Sequence, residues 1–139
     1  MKTRFYYCKQ CGNIVVKLVD SGVVPFCCGE EMTELKANIV ENVSEKHLPV
    51  VKIKDVCEQS AGCRICVKIG EETHPMDENH YIRFIAIETE DGGQINYLDP
   101  GKPPKAEFYS TSPVKAIYAY CNVHGLWKVD CRQAMTCTR

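Results

Sequence analysis

Cys121-Asn122-Val123-His124-Gly125-Leu126-Trp127 sets a thiol and an imidazole three positions apart, with a glycine directly after. On a tight loop both side chains could reach one metal ion, and Gly125 supplies backbone freedom where the chain must turn. The sequence holds 4 histidines. His47 lies in Glu45-Lys46-His47-Leu48-Pro49, and His74 and His80 are the ends of His74-Pro75-Met76-Asp77-Glu78-Asn79-His80. Each sits in a short polar or proline-marked segment beside a β-rich run. A lone histidine is more often a turn or core residue with satisfied hydrogen bonds. Here all four are expected to gather around one metal ion, with Cys121 as a fifth ligand.

The 10 cysteines point the same way. Nothing resembles a secretory leader, because Met1-Lys2-Thr3-Arg4 runs straight into Phe5-Tyr6-Tyr7-Cys8. The chain is therefore expected to be cytoplasmic, where metal ligation is a better reading of many cysteines than a disulfide framework. Cys8-Lys9-Gln10-Cys11-Gly12 and Cys27-Cys28-Gly29 flank a strand-like run, Ile14 to Val19, and a turn, Asp20-Ser21-Gly22. A hairpin there would bring four sulfurs around one ion, with a glycine after each pair to let the backbone bend. So small a unit cannot hold its shape by apolar burial alone, and a bound metal would supply the missing stability. Four thiolates suit iron or zinc, and the spacing does not separate them.

These ligands need a scaffold. At 139 residues the chain suits one domain with a small appendage. Its net charge of −1 and lack of a basic run give no case for nucleic acid, and no apolar run is long enough for a bilayer. Strands are expected at Val50 to Lys54, Ile65 to Ile69, Tyr81 to Glu88, Gln94 to Leu98, Ala106 to Tyr109, Val114 to Tyr120 and Leu126 to Val129. Thr33 to Leu35 reads as a further short strand. Pro49 argues against a helix through the His47 segment. No stretch shows sustained helical periodicity, so the fold class is all-β, with a β-sandwich as the main body.

Taken together, the motifs resemble those of desulfoferrodoxin, the two-iron form of superoxide reductase, over nearly the whole chain. The N-terminal CxxC and CC pairs resemble its desulforedoxin-type iron site. Glu45-Lys46-His47-Leu48-Pro49, His74 to His80 and Cys121 to Lys128 resemble its three ligand-bearing segments, in the family's order. The resemblance implies a desulforedoxin-like β unit over residues 1–37, followed by a seven-stranded immunoglobulin-like sandwich over 38–139, as a homodimer. It implies two mononuclear irons: Fe(Cys)4 on Cys8, Cys11, Cys27 and Cys28, and Fe(His)4(Cys) on His47, His74, His80, His124 and Cys121.

The implied reaction is one-electron reduction of superoxide to hydrogen peroxide as ferrous iron becomes ferric, with an external donor such as rubredoxin resetting it. A five-ligand set is odd for zinc, but suits iron that keeps one position open. Cys121 opposite that position would push electron density onto the metal. Lys46 would stand at its mouth, drawing in an anion and helping to deliver a proton. Glu45 would close the position once iron is oxidised. Trp127 and Pro75 read as packing around the site. Two competing readings are a non-enzymatic electron carrier using only the N-terminal site, and a zinc-stabilised interaction domain, which would be colourless.

Between His47 and His74 the chain carries an apparent extra piece, around Val56 to Arg64, with Cys57 and Cys63. Cys66, Cys131 and Cys137 also fall outside the family pattern. A buried small hydrophobe is the commonest fate of a free cysteine, and Cys66, inside a strand, fits it. Some of the others, Cys57 with Cys63 or Cys131 with Cys137, are expected to form a reversible disulfide under oxidant.

Overall fold

A computed structural model describes residues 3–38, 47–55 and 62–130, with the side chains of 50–55 excepted. The chain divides into two compact units, Met1–Lys36 and Ala37–Arg139. Among the described residues every named element is a strand.

The first unit contains β1 (Phe5–Tyr7), β2 (Ile14–Val16), β3 (Phe26–Cys27), β4 (Glu30–Glu31) and β5 (Thr33–Glu34). β1 is the middle of a three-stranded antiparallel sheet, with Phe5 opposite Val16 and Tyr7 opposite Thr33. β3 and β4 make a minimal hairpin in which Cys27 faces Glu30 across Cys28 and Gly29. Both turn residues have positive φ, 53° and 78°. That is the signature of a two-residue turn whose twist matches its strands, and a non-glycine residue enters it only at a cost. The buried cluster of this unit is Tyr6, Cys8 and Met32, with Cys27 packed against it. So small a core leaves the unit dependent on a cross-link of some kind.

The second unit holds β6 (Pro49–Asp55), β7 (Cys63–Ile69), β8 (Ile82–Thr89), β9 (Gly93–Tyr97), β10 (Lys105–Ser110), β11 (Val114–Cys121) and β12 (Gly125–Asp130). They form two antiparallel sheets, β10-β7-β6 and β12-β11-β8-β9. Seven strands in two such layers are the immunoglobulin-like sandwich that the resemblance implied. Ile65, Val67 and Ile69 alternate with outward residues along β7 and meet Ile85, Ile87, Ile117 and Ala119 of the other sheet. β8 and β11 are buried on both faces, and Phe84 stacks on Tyr120 with ring centroids 5.7 Å apart on the side away from that core.

Two expectations need correction. His47 has helical backbone conformation, and the strand begins at Pro49. The proline marks a boundary there, since it restricts only the residue just before it and those it follows in a helix. At the end of the apparent extra piece, Cys63 and Arg64 are strand residues of β7, opposite Ser110 and Tyr109. Cys66 lies in β7 but on its outward side, half-buried, with its thiol 3.7 Å from the Glu107 carboxylate. Cys63 is buried and disulfide-bonded, whereas Cys8, Cys11, Cys27, Cys28, Cys66 and Cys121 are free thiols. Cys57, Cys131 and Cys137 lie outside the described residues.

Candidate metal centres

In the first unit Cys8, Cys11, Cys27 and Cys28 bring their sulfurs within 4.8 Å of one another. Cys8 and Cys11 flank a tight turn in which the Gly12 amide donates to the Cys8 carbonyl at 2.8 Å. Gly12 takes φ 83°, a conformation that glycine enters freely. Across from it the β3–β4 turn presents Cys27 and Cys28, with Cys11 and Cys27 sulfurs 3.6 Å apart. The Asn13 side-chain amide points at the Cys27 sulfur from 3.7 Å. Backbone amide donation at Cys11 draws the Cys8 thiol down to about 7. The sulfurs crowding Cys28, Cys11 foremost, push its thiol up to about 12. Four thiols so close cannot all ionise unaided, and a cation among them removes that conflict.

The second cluster gathers at one end of the sandwich. His47 precedes β6, His74 and His80 lie between β7 and β8, Cys121 ends β11, and His124 is in the turn to β12. Antiparallel pairing brings those points together, although His47 and His124 are 77 residues apart in sequence. His47, His74, His80 and Cys121 present ligand atoms within 4.8 Å of one another. His124 joins them, its Nδ1 lying 3.1 Å from His47 Nε2 and 3.9 Å from the Cys121 sulfur.

Hydrogen bonds fix how the rings point. His74 Nδ1 donates to the Pro75 carbonyl at 2.7 Å, so its Nε2 carries the lone pair and faces His47 Nε2 at 2.9 Å. Burial, with His47, His80 and His124 alongside, holds the His74 pKa down to about 4, so the ring is neutral at physiological pH. His47 Nε2 could donate to His74 or to His124, but not to both. The lone pairs left facing inward have no proton to share, and a metal ion satisfies all of them at once. The residues present therefore fit a metal. Burial raises the Cys121 thiol, while the His124 amide points at its sulfur from 3.4 Å and favours the thiolate.

His47, His74 and Cys121 are buried, at 1%, 1% and 0% exposure, whereas His80 and His124 are only partly covered. Trp127 stacks on His47 at 4.8 Å, as the packing role expected of it requires. Pro75 does more than pack, because its carbonyl sets the His74 tautomer. The sequence reading also missed Asn122, whose side chain accepts from the Tyr81 amide at 2.9 Å and donates to the Asn79 carbonyl at 3.1 Å. It ties the loop carrying His80 to the loop carrying Cys121 and His124. Its place between two candidate ligands was the one available signal. Lys46 and Glu45 lie outside the described residues.

A β-sandwich with five imidazole and thiolate donors at one end, preceded by a four-cysteine unit, defines a non-haem metalloprotein with two separate centres. Residues 39–130 match the family described as desulfoferrodoxin. A desulfoferrodoxin homolog of Archaeoglobus fulgidus is 38% identical over 124 residues, covering 88% of this chain and 93% of the relative. The desulfoferrodoxin of Syntrophotalea carbinolica is 38% identical over 130 residues, covering 93% and 97% respectively. Among solved structures, the superoxide reductase from Treponema pallidum superposes with a TM-score of 0.71 at 25% identity, over 93% of this chain and 98% of that one. The chain belongs to the desulfoferrodoxin family. Membership of the family brings two iron sites, and the four-cysteine cluster and the histidine–cysteine cluster are the groups of this chain that could hold them.

Proposed function

We propose that this protein is a superoxide reductase, converting superoxide to hydrogen peroxide with one electron and two protons and releasing no oxygen. The observation that carries the reading is the inward convergence of four histidines and Cys121 at one end of the sandwich. In this reading residues 1–37 are a desulforedoxin-like domain whose Cys8, Cys11, Cys27 and Cys28 hold the first iron. Residues 38–139 are the reductase domain, with His47, His74, His80, His124 and Cys121 holding the second. Iron bound there supplies the one-electron change between ferrous and ferric states.

The chain does the rest. Burial keeps His74 neutral, the Pro75 carbonyl keeps its ring correctly turned, and the Asn122 bonds hold two ligand loops in register. Lys46, next to His47 in sequence, attracts the anionic substrate and passes a proton through water to the product. Glu45 covers the open side after turnover. A rubredoxin-like protein returns the electron, and the working form is a cytoplasmic homodimer. Exposed Leu18, Val19, Val23 and Phe26 offer a second copy an apolar surface.

Iron-loaded protein mixed with a superoxide pulse tests the reading. Peroxide without oxygen, in proportion to the ferrous iron consumed, is the expected result. Oxygen release, or a protein that stays colourless after iron reconstitution, would overturn it.

A further inference from the structure

The outward face of the β10-β7-β6 sheet is strongly basic in a chain whose net charge is −1. β7 alternates Ile65, Val67 and Ile69 inward with Arg64, Cys66 and Lys68 outward. On the same face β10 places Lys105, Glu107 and Tyr109 opposite Lys68, Cys66 and Arg64. On the other flank the register sets Lys52 opposite Cys66 and Lys54 opposite Arg64. Five cations thus share register positions with a single carboxylate, that of Glu107, while Glu71 and Glu72 lie on the turn beyond.

Arg64, Lys68 and Lys105 are exposed, and none has a carboxylate within ion-pair distance among the described residues. Lys68 stands directly opposite Lys105, and like charges so placed in adjacent strands destabilise a sheet. Lysines on an edge strand such as β10 are commonly explained as protection against edge-to-edge aggregation. That does not account for Arg64 and Lys68, which are on the central strand.

The face also has a direction. Lys68 lies opposite Val50, three residues after His47, and the Gly70 amide donates to the Leu48 carbonyl at 3.0 Å. Its Lys68–Lys105 end therefore adjoins the segment that carries an iron ligand. Arg64 to Lys68 extends roughly 13 Å along the strand. That suits the small, electrostatically steered contacts of electron-transfer proteins. It is short beside the ~34 Å of a duplex turn, over which a nucleic-acid binder would distribute its phosphate contacts.

We propose that this face docks an acidic one-electron carrier protein, which reduces ferric iron to ferrous and is itself oxidised by one electron. No bond is made or broken in the transfer. The proposal rests on the reductase reading for its purpose, but its geometry belongs to the sheet alone.

The test uses the iron-loaded protein with rubredoxin as the acidic probe, comparing wild type with Lys105→Glu and with the double variant Lys68→Glu/Lys105→Glu. At low salt the double variant should bind oxidised rubredoxin about 10-fold or more weakly, and be reduced by reduced rubredoxin more slowly in proportion. Both gaps should close as ionic strength rises and the Debye length falls below about 5 Å. Reduction by ascorbate and the reaction with superoxide should not change. Lys105→Glu alone should raise the thermal midpoint, by replacing a repulsive cross-strand pair with an attractive one, while still weakening binding. Unchanged rubredoxin binding at low salt overturns the proposal. So does a loss of duplex DNA binding in the variants with rubredoxin unaffected, which would make the face a polyanion site. Binding is read separately from turnover, so a protein inert toward superoxide that still binds rubredoxin through this face would sink the reductase reading and leave the docking site standing.

Discussion

Asn122 and Tyr81 bond each other in both directions. The Asn122 amide donates to the Tyr81 carbonyl at 3.2 Å, and the Tyr81 amide donates to Asn122 Oδ1 at 2.9 Å. Because Tyr81 follows His80 and Asn122 follows Cys121, this exchange fixes the separation of two ligands from neighbouring strands. Asn122→Ala should weaken iron binding at the second centre by about 10–100-fold, the range seen when groups that orient metal ligands are removed. Competition with a chelator of known affinity measures it. Asn122→Asp, which keeps the acceptor and loses the donor to Asn79, should fall between.

Cys121→Ser should remove the thiolate charge-transfer band of the second centre from the visible spectrum of oxidised, iron-loaded protein. The band of the four-cysteine centre should remain, because its sulfurs are held in a separate unit. An unaltered spectrum would mean that Cys121 is not a ligand.

Lys46→Ala should slow the second-order reaction with superoxide by about 10-fold at low salt, and flatten its dependence on ionic strength. Lys46→Arg, which keeps the charge, should restore most of the rate. Pulse radiolysis resolves both, and equal rates in all three proteins would remove Lys46 as a steering group.

Metal removal should divide the molecule. The first unit has a buried cluster of Tyr6, Cys8 and Met32, whereas the sandwich buries a continuous core from both of its sheets. Stripping iron with a strong chelator should abolish amide protection in β1, β2 and β5 and leave β8 and β11 protected, as hydrogen exchange would report. Equal loss in both units would show that the sandwich also depends on its metal.

The chemistry of the centres was legible in the sequence because it resides in residue types at fixed spacings. Thiols and imidazoles announce themselves, and alternation along β7 and β10 announces their scaffold. What supports the ligands was not legible. The Pro75 carbonyl and the Asn122 bonds depend on which backbone groups the fold brings near, and any residue has a carbonyl. Strands as short as β3 and β4 carry no period to detect. Phe5–Tyr7 went unread as a strand because its apolar residues do not alternate. Cys66 shows the opposite case. Its parity with Arg64 and Lys68 would have assigned it to the outward face, but the common fate of free cysteines suggested burial.

The spacing of the two clusters along the chain also orders their completion in time. All four sulfurs of the first centre exist once residue 28 has been made, but the second lacks a ligand until His124. At a synthesis rate of about 5–20 residues per second, roughly 5–20 seconds separate the two events. A nascent chain can thus capture its first iron on the ribosome while the reductive site is still missing an imidazole. Loading of the second iron must wait for nearly the whole sandwich, so a cell short of iron would fill the two centres unequally.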